Sequence, residues 1–167
     1  MAIGNIPDYP SGNNGVEWYR DAEGGVFVRI YEDGGSALSN GVVYALTFTS
    51  SASVVYADVT APTAVATNSA IIGVVNNAPR GLDTIPAYGR GWLQIAGYCP
   101  YINTTGTIAA NAQLEVKADA ATVLQDDTAA NGGVQYTPNC VGVAIAEITT
   151  NVWSAFLIGN PVVVASS

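Results

Sequence analysis

Residues 89–101 read GRGWLQIAGYCPY. Glycines bracket a run in which Leu93 and Ile95 fall on one side and Trp92 and Gln94 on the other, the period of two that marks a β-strand. Arg90 is its single charge, and three rings (Trp92, Tyr98 and Tyr101), a cysteine and a proline share the run. The run gathers packing groups yet offers no base, no acid and no set of metal ligands, which raises the question of what it serves if not chemistry. The same pattern continues outward in both directions. GVFVRIYEDGG (25–35) alternates and ends on a glycine turn; GVVYALTFTS (41–50) and ASVVYADVT (52–60) are β-branched and aromatic around a serine cluster. SAIIGVVNN (69–77) is an apolar run that ends in two asparagines. Beyond the central stretch, Leu114 and Val116 alternate with Glu115 and Lys117 before DAA (119–121) turns the chain into TVLQ, which reads as a hairpin. A short helix over 119–125, capped by Asp119, is the competing reading. GGVQYTPNCVGVAIAEITT (132–150) and NVWSAFLIGNPVVVASS (151–167) supply the last strands.

The expectation is an all-β chain, a small β-barrel or β-sandwich over residues 26–167 with an extended N-terminal arm over residues 1–25. Leu93, Ile95, Val141, Val143, Ile145, Phe156 and Ile158 are its expected core. The arm is rich in glycine and asparagine, and Ile3, Ile6, Tyr9, Trp18 and Tyr19 are spaced along it with no period. Segments that stay unfolded are poor in aromatic residues, so these five side chains are candidate anchors. They dock either on another surface or across the chain's own domain. Trp92 joins them as a candidate interface residue.

A faint echo links the two halves. IIGVVNN at Ile71 and CVGVAIAEI at Cys140 share an apolar-Gly-Val core, and each leads to a tryptophan strand that ends in glycine, GWLQIAG and NVWSAFLIG. Two similar corners of one barrel, where glycine lets strands bend, would produce it.

Composition narrows the function. The chain has 167 residues, a net charge of −8 and five cations against 13 acids. Only 11% of residues are charged, against ~25% in an average soluble domain. Phosphate backbones are held by clustered Lys and Arg, so no nucleic acid and no anionic membrane is expected as a partner. No run of 18 apolar residues occurs, the length a spanning helix needs. MAIGNIPDYPSGNNG lacks the basic start and apolar stretch of a signal peptide, so folding in a cytoplasm is expected. Cys99 and Cys140 then read as buried thiols, and NTT at Asn103 as an ordinary turn.

The chain has no histidine, which removes the commonest general base and metal ligand. GNNG and NGG lack the Lys-Ser/Thr ending of a phosphate loop. The carboxylate pairs Glu32–Asp33 and Asp126–Asp127 lie beside turns and read as solvated acids rather than a glycosidase dyad or a calcium loop. No catalytic residue, metal site or cofactor is expected. Three classes stay open: a structural protein that covers another surface, a sugar-binding β-module that stacks its ligand on Trp92, Tyr98 and Tyr101, and an enzyme with a carboxylate dyad. Low charge, abundant Thr and Asn, and the anchored arm favour the first.

Taken together, IIGVVNN, GRGWLQIAGYCPY, TTGTIAANAQLEVKADAATVL and CVGVAIAEI ahead of an apolar terminal strand resemble the capsid decoration, or cement, proteins of tailed phages. The resemblance spans about residues 71–164; residues 1–70 match in general style only. It implies a mostly β fold, often a homotrimer, seated on the outside of an icosahedral shell at three-fold and quasi-three-fold positions. Its implied partner is the major capsid protein, whose adjacent subunits it clamps against the pressure of packaged DNA, and its implied location is the virion. A β-rich protein of the phage tail tube or fibre is the alternative of the same composition.

Overall fold

The periods of two become strands in the computed structural model, which describes residues 17–32, 34–51, 54–60, 69–77, 81–100, 102–103, 107–116, 124–126, 140–147, 155–158 and 161–163. In chain order the strands are β1 (Trp18–Arg20), β2 (Val26–Tyr31), β3 (Leu38–Ser39), β4 (Val43–Ser51), β5 (Val54–Thr60), β6 (Ser69–Val75), β7 (Thr84–Ile85), β8 (Arg90–Cys99), β9 (Gln113–Val116), β10 (Leu124–Asp126), β11 (Cys140–Ala144), β12 (Ala155–Ile158) and β13 (Pro161–Val163). The described residues contain no helix, so the all-β expectation holds. Among the described residues the hydrogen-bonded path β10-β9-β11-β12-β8-β6-β4-β5 does not close on itself, and β3 and β7 pair apart from it as a two-stranded ribbon.

Strand β8, the quoted run, is the hub. It pairs with β2 from Tyr31↔Arg90 to Val26↔Ala96, with β6 at Val74↔Gln94 and Val75↔Leu93, and with β12 from Ala155↔Cys99 to Ile158↔Ala96, each antiparallel. The expected hairpin is β9–β10, paired from Leu124↔Val116 to Asp126↔Leu114. Leu124 and Gln125 are therefore strand, where the competing reading had the end of a helix; residues 119–123 lie outside the described residues.

Alternation sorts the side chains into two main clusters. Val43, Ala45, Ile72 and Val74 join Cys99, Ile102, Ile108, Leu114, Val141 and Leu157. Leu46 and Val75, one position out of phase, join Val28, Ile30, Leu38, Ala57, Ile85 and Leu93 on the other side. A third cluster, Tyr19, Phe27 and Trp92, lies on the face of β8 opposite Leu93. The framework strand is thus covered on both faces: Trp92, Leu93 and Gln94 are all buried.

Two expectations change here. The core is not one group, because Leu93 and Val141 belong to different clusters. Ile95 only packs partly against its cluster, Val143 is half-buried, and Ile145, one residue past the end of β11, is 48% exposed. The side chains of Phe156 and Ile158 lie outside the described residues. The boundary expected at residues 25 and 26 falls inside a hairpin, since β1 pairs with β2 through Trp18↔Val28, Tyr19↔Phe27 and Arg20↔Val26. Asp21 builds that turn: its Oδ1 accepts from the Gly25 amide at 2.6 Å and from the Glu23 amide at 3.1 Å. The end of the expected arm is part of the sheet.

The echo between the halves has a counterpart in pairing order. β4 pairs with β5 on one side and β6 on the other, and β6 pairs with β8. β9 likewise pairs with β10 and β11, and β11 pairs with β12. The fourth strands of the two sets, β8 and β12, then pair with each other. The shared glycine serves close approach at Gly73, where a Cβ would sit 2.6 Å from Leu93 Cγ and 2.8 Å from the Gln94 carbonyl oxygen.

Candidate functional site

The expected interface residues separate. Ile3, Ile6 and Tyr9 lie outside the described residues. Along β1 the side chains alternate, so Trp18 is 62% exposed while Tyr19 is 5% exposed. Tyr19 stacks on Phe27 with ring centroids 4.6 Å apart and 5° between planes, and meets Trp92 edge-on at 4.7 Å and 83°. Each such pair adds about 0.5–1.5 kcal/mol beyond the area it buries. Tyr19 and Trp92 therefore anchor β1 to the chain's own sheet. Burial also removes Trp92 as a sugar-stacking platform. Tyr98 keeps 48% of its surface exposed, and Tyr101 lies outside the described residues.

Beside these rings the Arg29 guanidinium forms an ion pair with Glu17 through Nη1 and Oε2. Arg29 stands directly across from Trp92 in the β2–β8 register. The Nε of Arg29 and the indole Nε1 of Trp92 are both buried without an acceptor among the described residues.

A second region gathers where β2, β3, β7 and β8 meet. The adjacent acids at 32 and 33 were expected to be solvated, but Glu32 is 4% exposed. Its Oε2 accepts the Tyr88 amide at 3.0 Å and its Oε1 the Ser36 amide at 3.4 Å, while its own amide donates to the Gly89 carbonyl at 2.9 Å. Glu32 makes no ion pair with any described residue; backbone N–H groups compensate the buried carboxylate instead. Nearby, burial first and the Glu32 charge second raise the Tyr44 phenol above its ordinary 10.0.

Glu32 thereby fastens the turn Pro86–Gly89, which the Gly89 amide closes on the Pro86 carbonyl at 2.9 Å. Tyr88 sits at φ +57° in this turn, at the third position, where a type II turn favours glycine or asparagine. Its ring is 66% exposed, the most exposed large apolar side chain among the described residues. Gly35, at φ +78°, makes room for the phenol end: a Cβ there would lie 2.8 Å from the hydroxyl oxygen.

A buried amide network holds this region to the sheet. Asn76 Nδ2 donates to Gln94 Oε1 at 2.8 Å, and Gln94 Nε2 donates to the carbonyls of Ala96 and Tyr98 at 3.1 and 2.7 Å. Asn77 Oδ1 accepts the Trp92 amide at 3.1 Å, and its Nδ2 donates to the Thr84 carbonyl at 3.1 Å. Asn40 Oδ1 accepts the Asn77 amide at 2.8 Å, and Asn40 Nδ2 reaches the Leu82 carbonyl at 3.0 Å. The paired asparagines that end the 69–77 run are thus internal braces that fix β7 and the loop before it against β8.

Tyr88, Phe48 (58% exposed) and Leu82 (48% exposed) were not singled out from the sequence. Tyr88 does leave a trace there: PAYG places an aromatic where turn chemistry prefers glycine. No group of three or more metal-ligating side chains occurs among the described residues. Asp33 and Asp127 lie outside the described residues, and so does the Asp126 side chain. No protein-family model matches the sequence, and no curated protein matches it either.

Proposed function

We propose that this chain is a structural virion protein that seats on the outside of an icosahedral phage capsid, as a homotrimer, and bridges adjacent major capsid subunits. One observation carries the reading. The stretches that resemble cement proteins become β6, β8, β9, β10, β11 and β12, which are consecutive neighbours in the strand order. The resemblance therefore tracks a contiguous piece of sheet rather than scattered strands. Large aromatic side chains left exposed on this framework, Trp18, Phe48, Tyr88 and Tyr98, supply contact groups of the kind that dominate protein interfaces. Packing of β2 against β5 supports a curled first half in which β5, β4, β6, β8 and β2 form a partly open barrel around the Leu93 cluster.

Co-sedimentation tests the proposal. The purified protein is mixed with mature capsids stripped of their outer proteins, and with ferritin cages as an unrelated protein surface. Saturable sedimentation with capsids alone supports the reading. Equal sedimentation with both, or with neither, rejects it.

A further inference from the structure

We propose that Tyr88 is a pre-organised docking anchor for a protein surface that presents an arginine or lysine side chain; the identity of that surface as a capsid rests on the function proposed above.

The inference starts from a mismatch between the turn and its residue. The turn at Pro86–Gly89 takes a positive φ at position 88, a conformation that glycine adopts without strain. The protein places a tyrosine there at φ +57°. It holds the strained backbone with a buried carboxylate, through the Glu32 Oε2 to Tyr88 amide bond of 3.0 Å. It also clears the space beside Gly35 for the phenol end. Strained backbone persists where the surroundings over-determine it, and such positions cluster at functional sites. Packing does not explain the ring, which keeps 66% of its surface exposed. Pro86 and Ala87 in the same turn are exposed too, so a partner can reach the ring. The Asn40–Asn77–Thr84 bonds, with the Trp92 amide donating to Asn77 Oδ1, tie the preceding ribbon to β8, which gives the ring a fixed base. A side chain held in place before binding loses little conformational entropy when it docks.

Charge selects the partner. With 13 acids against five cations, the surface complementary to this chain is basic. A tyrosine face attracts a guanidinium or ammonium group through its ring quadrupole. A sugar would also stack on a ring, but a lone platform on an acidic chain gives it no such electrostatic preference.

The test uses the full-length, isotope-labelled protein in solution. It is titrated with acetyl-Gly-Arg-Gly-amide, with the norleucine analogue of that peptide, and with maltotriose. The expected result is a saturable shift of the Tyr88 ring and the Gly35 and Gly89 amides with the arginine peptide, clearly larger than with the other two. The shift should vanish in Tyr88→Gly, whose remaining spectrum should match wild type because glycine suits the turn. A response as large to norleucine or to maltotriose, or none at Tyr88, overturns the proposal. Tyr88→Gly should also weaken capsid co-sedimentation by about tenfold or more, the scale of an aromatic hot spot. If wild type and Tyr88→Gly sediment alike with capsids, the anchor is wrong and the capsid reading stands. If the arginine peptide shifts Tyr88 but no capsid binds, the anchor stands and the capsid reading fails.

Discussion

Tyr19→Ala separates a β1 that belongs to the folded unit from one that merely rests on it. Tyr19 is 5% exposed and touches Phe27 face-to-face and Trp92 edge-on. A buried aromatic ring removes about 150–250 Å² from water, so at about 25 cal/mol per Å² truncation forfeits on the order of 4–6 kcal/mol at most, less by roughly 10–40% because the unfolded chain already buries part of that area. A large-to-small change at a rigid core site adds a cavity cost. Here that addition is small, because β1 is three residues long and, among the described strands, pairs with β2, so the edge can settle inward. The expected loss is about 3 kcal/mol, equivalent to roughly 6–12 °C in melting temperature for a chain of this size. Trp18→Ala is the control. Its side chain, one residue earlier and 62% exposed, should cost under about 0.5–1 kcal/mol. Urea titrations followed by tryptophan fluorescence, to which Trp92 beneath Tyr19 contributes with Trp18 and Trp153, and by far-ultraviolet circular dichroism measure both variants. A Tyr19→Ala midpoint within error of wild type, with an unchanged slope, refutes the reasoning. So does a Trp18→Ala loss as large as that of Tyr19→Ala.

Other outcomes follow from the same geometry. Folding raises the Tyr44 phenol above 10.0, so the folded chain holds that proton longer than the unfolded chain. Stability is then intact below about pH 10 and falls as pH climbs from there through the folded-state value; Tyr44→Phe should remove that part of the alkaline loss in melts between pH 9 and about 11. Glu32→Gln sets an NH2 donor against either the Ser36 or the Tyr88 backbone N–H, donor facing donor, which should cost about 1–3 kcal/mol in urea unfolding. By removing the charge it should also move the Tyr44 titration back toward 10.0, with the part due to burial remaining. Leu93→Ala, at a site with no exposed surface, should lose about 2–5 kcal/mol. Ile145→Ala, at 48% exposure, should stay within about 0.5–1 kcal/mol, so equal losses at the two positions would refute the cluster assignment.

What the sequence disclosed was governed by how local each feature is. Strand β8 was legible because its period of two needs no partner. That both of its faces are covered was not, because the cover over Trp92 comes from Tyr19 and Phe27, distant in sequence from it. The same cause displaced the candidate interface. Trp18 and Tyr19 are adjacent letters of one aromatic pair, and only pairing with β2 turns one outward and the other into the sheet. Asn76 and Asn77 looked like the end of a strand for a related reason: an asparagine at a turn and an asparagine bonded inside a core are the same residue until its partners, Gln94 and Thr84, are known.

The repeated pairing order shows the opposite behaviour, a long-range property that did leave a mark. Gly73 and Gly142 occupy the third strand of their respective four-strand sets, and each faces the first strand of its own set, Gly73 opposite Tyr44 and Gly142 opposite Leu114. At Gly73 the demand is physical, since a Cβ would meet Leu93 Cγ at 2.6 Å. Gly142 occupies the matching place in the strand order of the second half. Around it the sets are free to differ. β11 shifts register between Cys140 and Gly142 on β9, whereas β6 runs on β4 without a shift. That slip moves neighbouring side chains relative to their partners, so the halves keep the glycine and the strand order while the letters between them diverge.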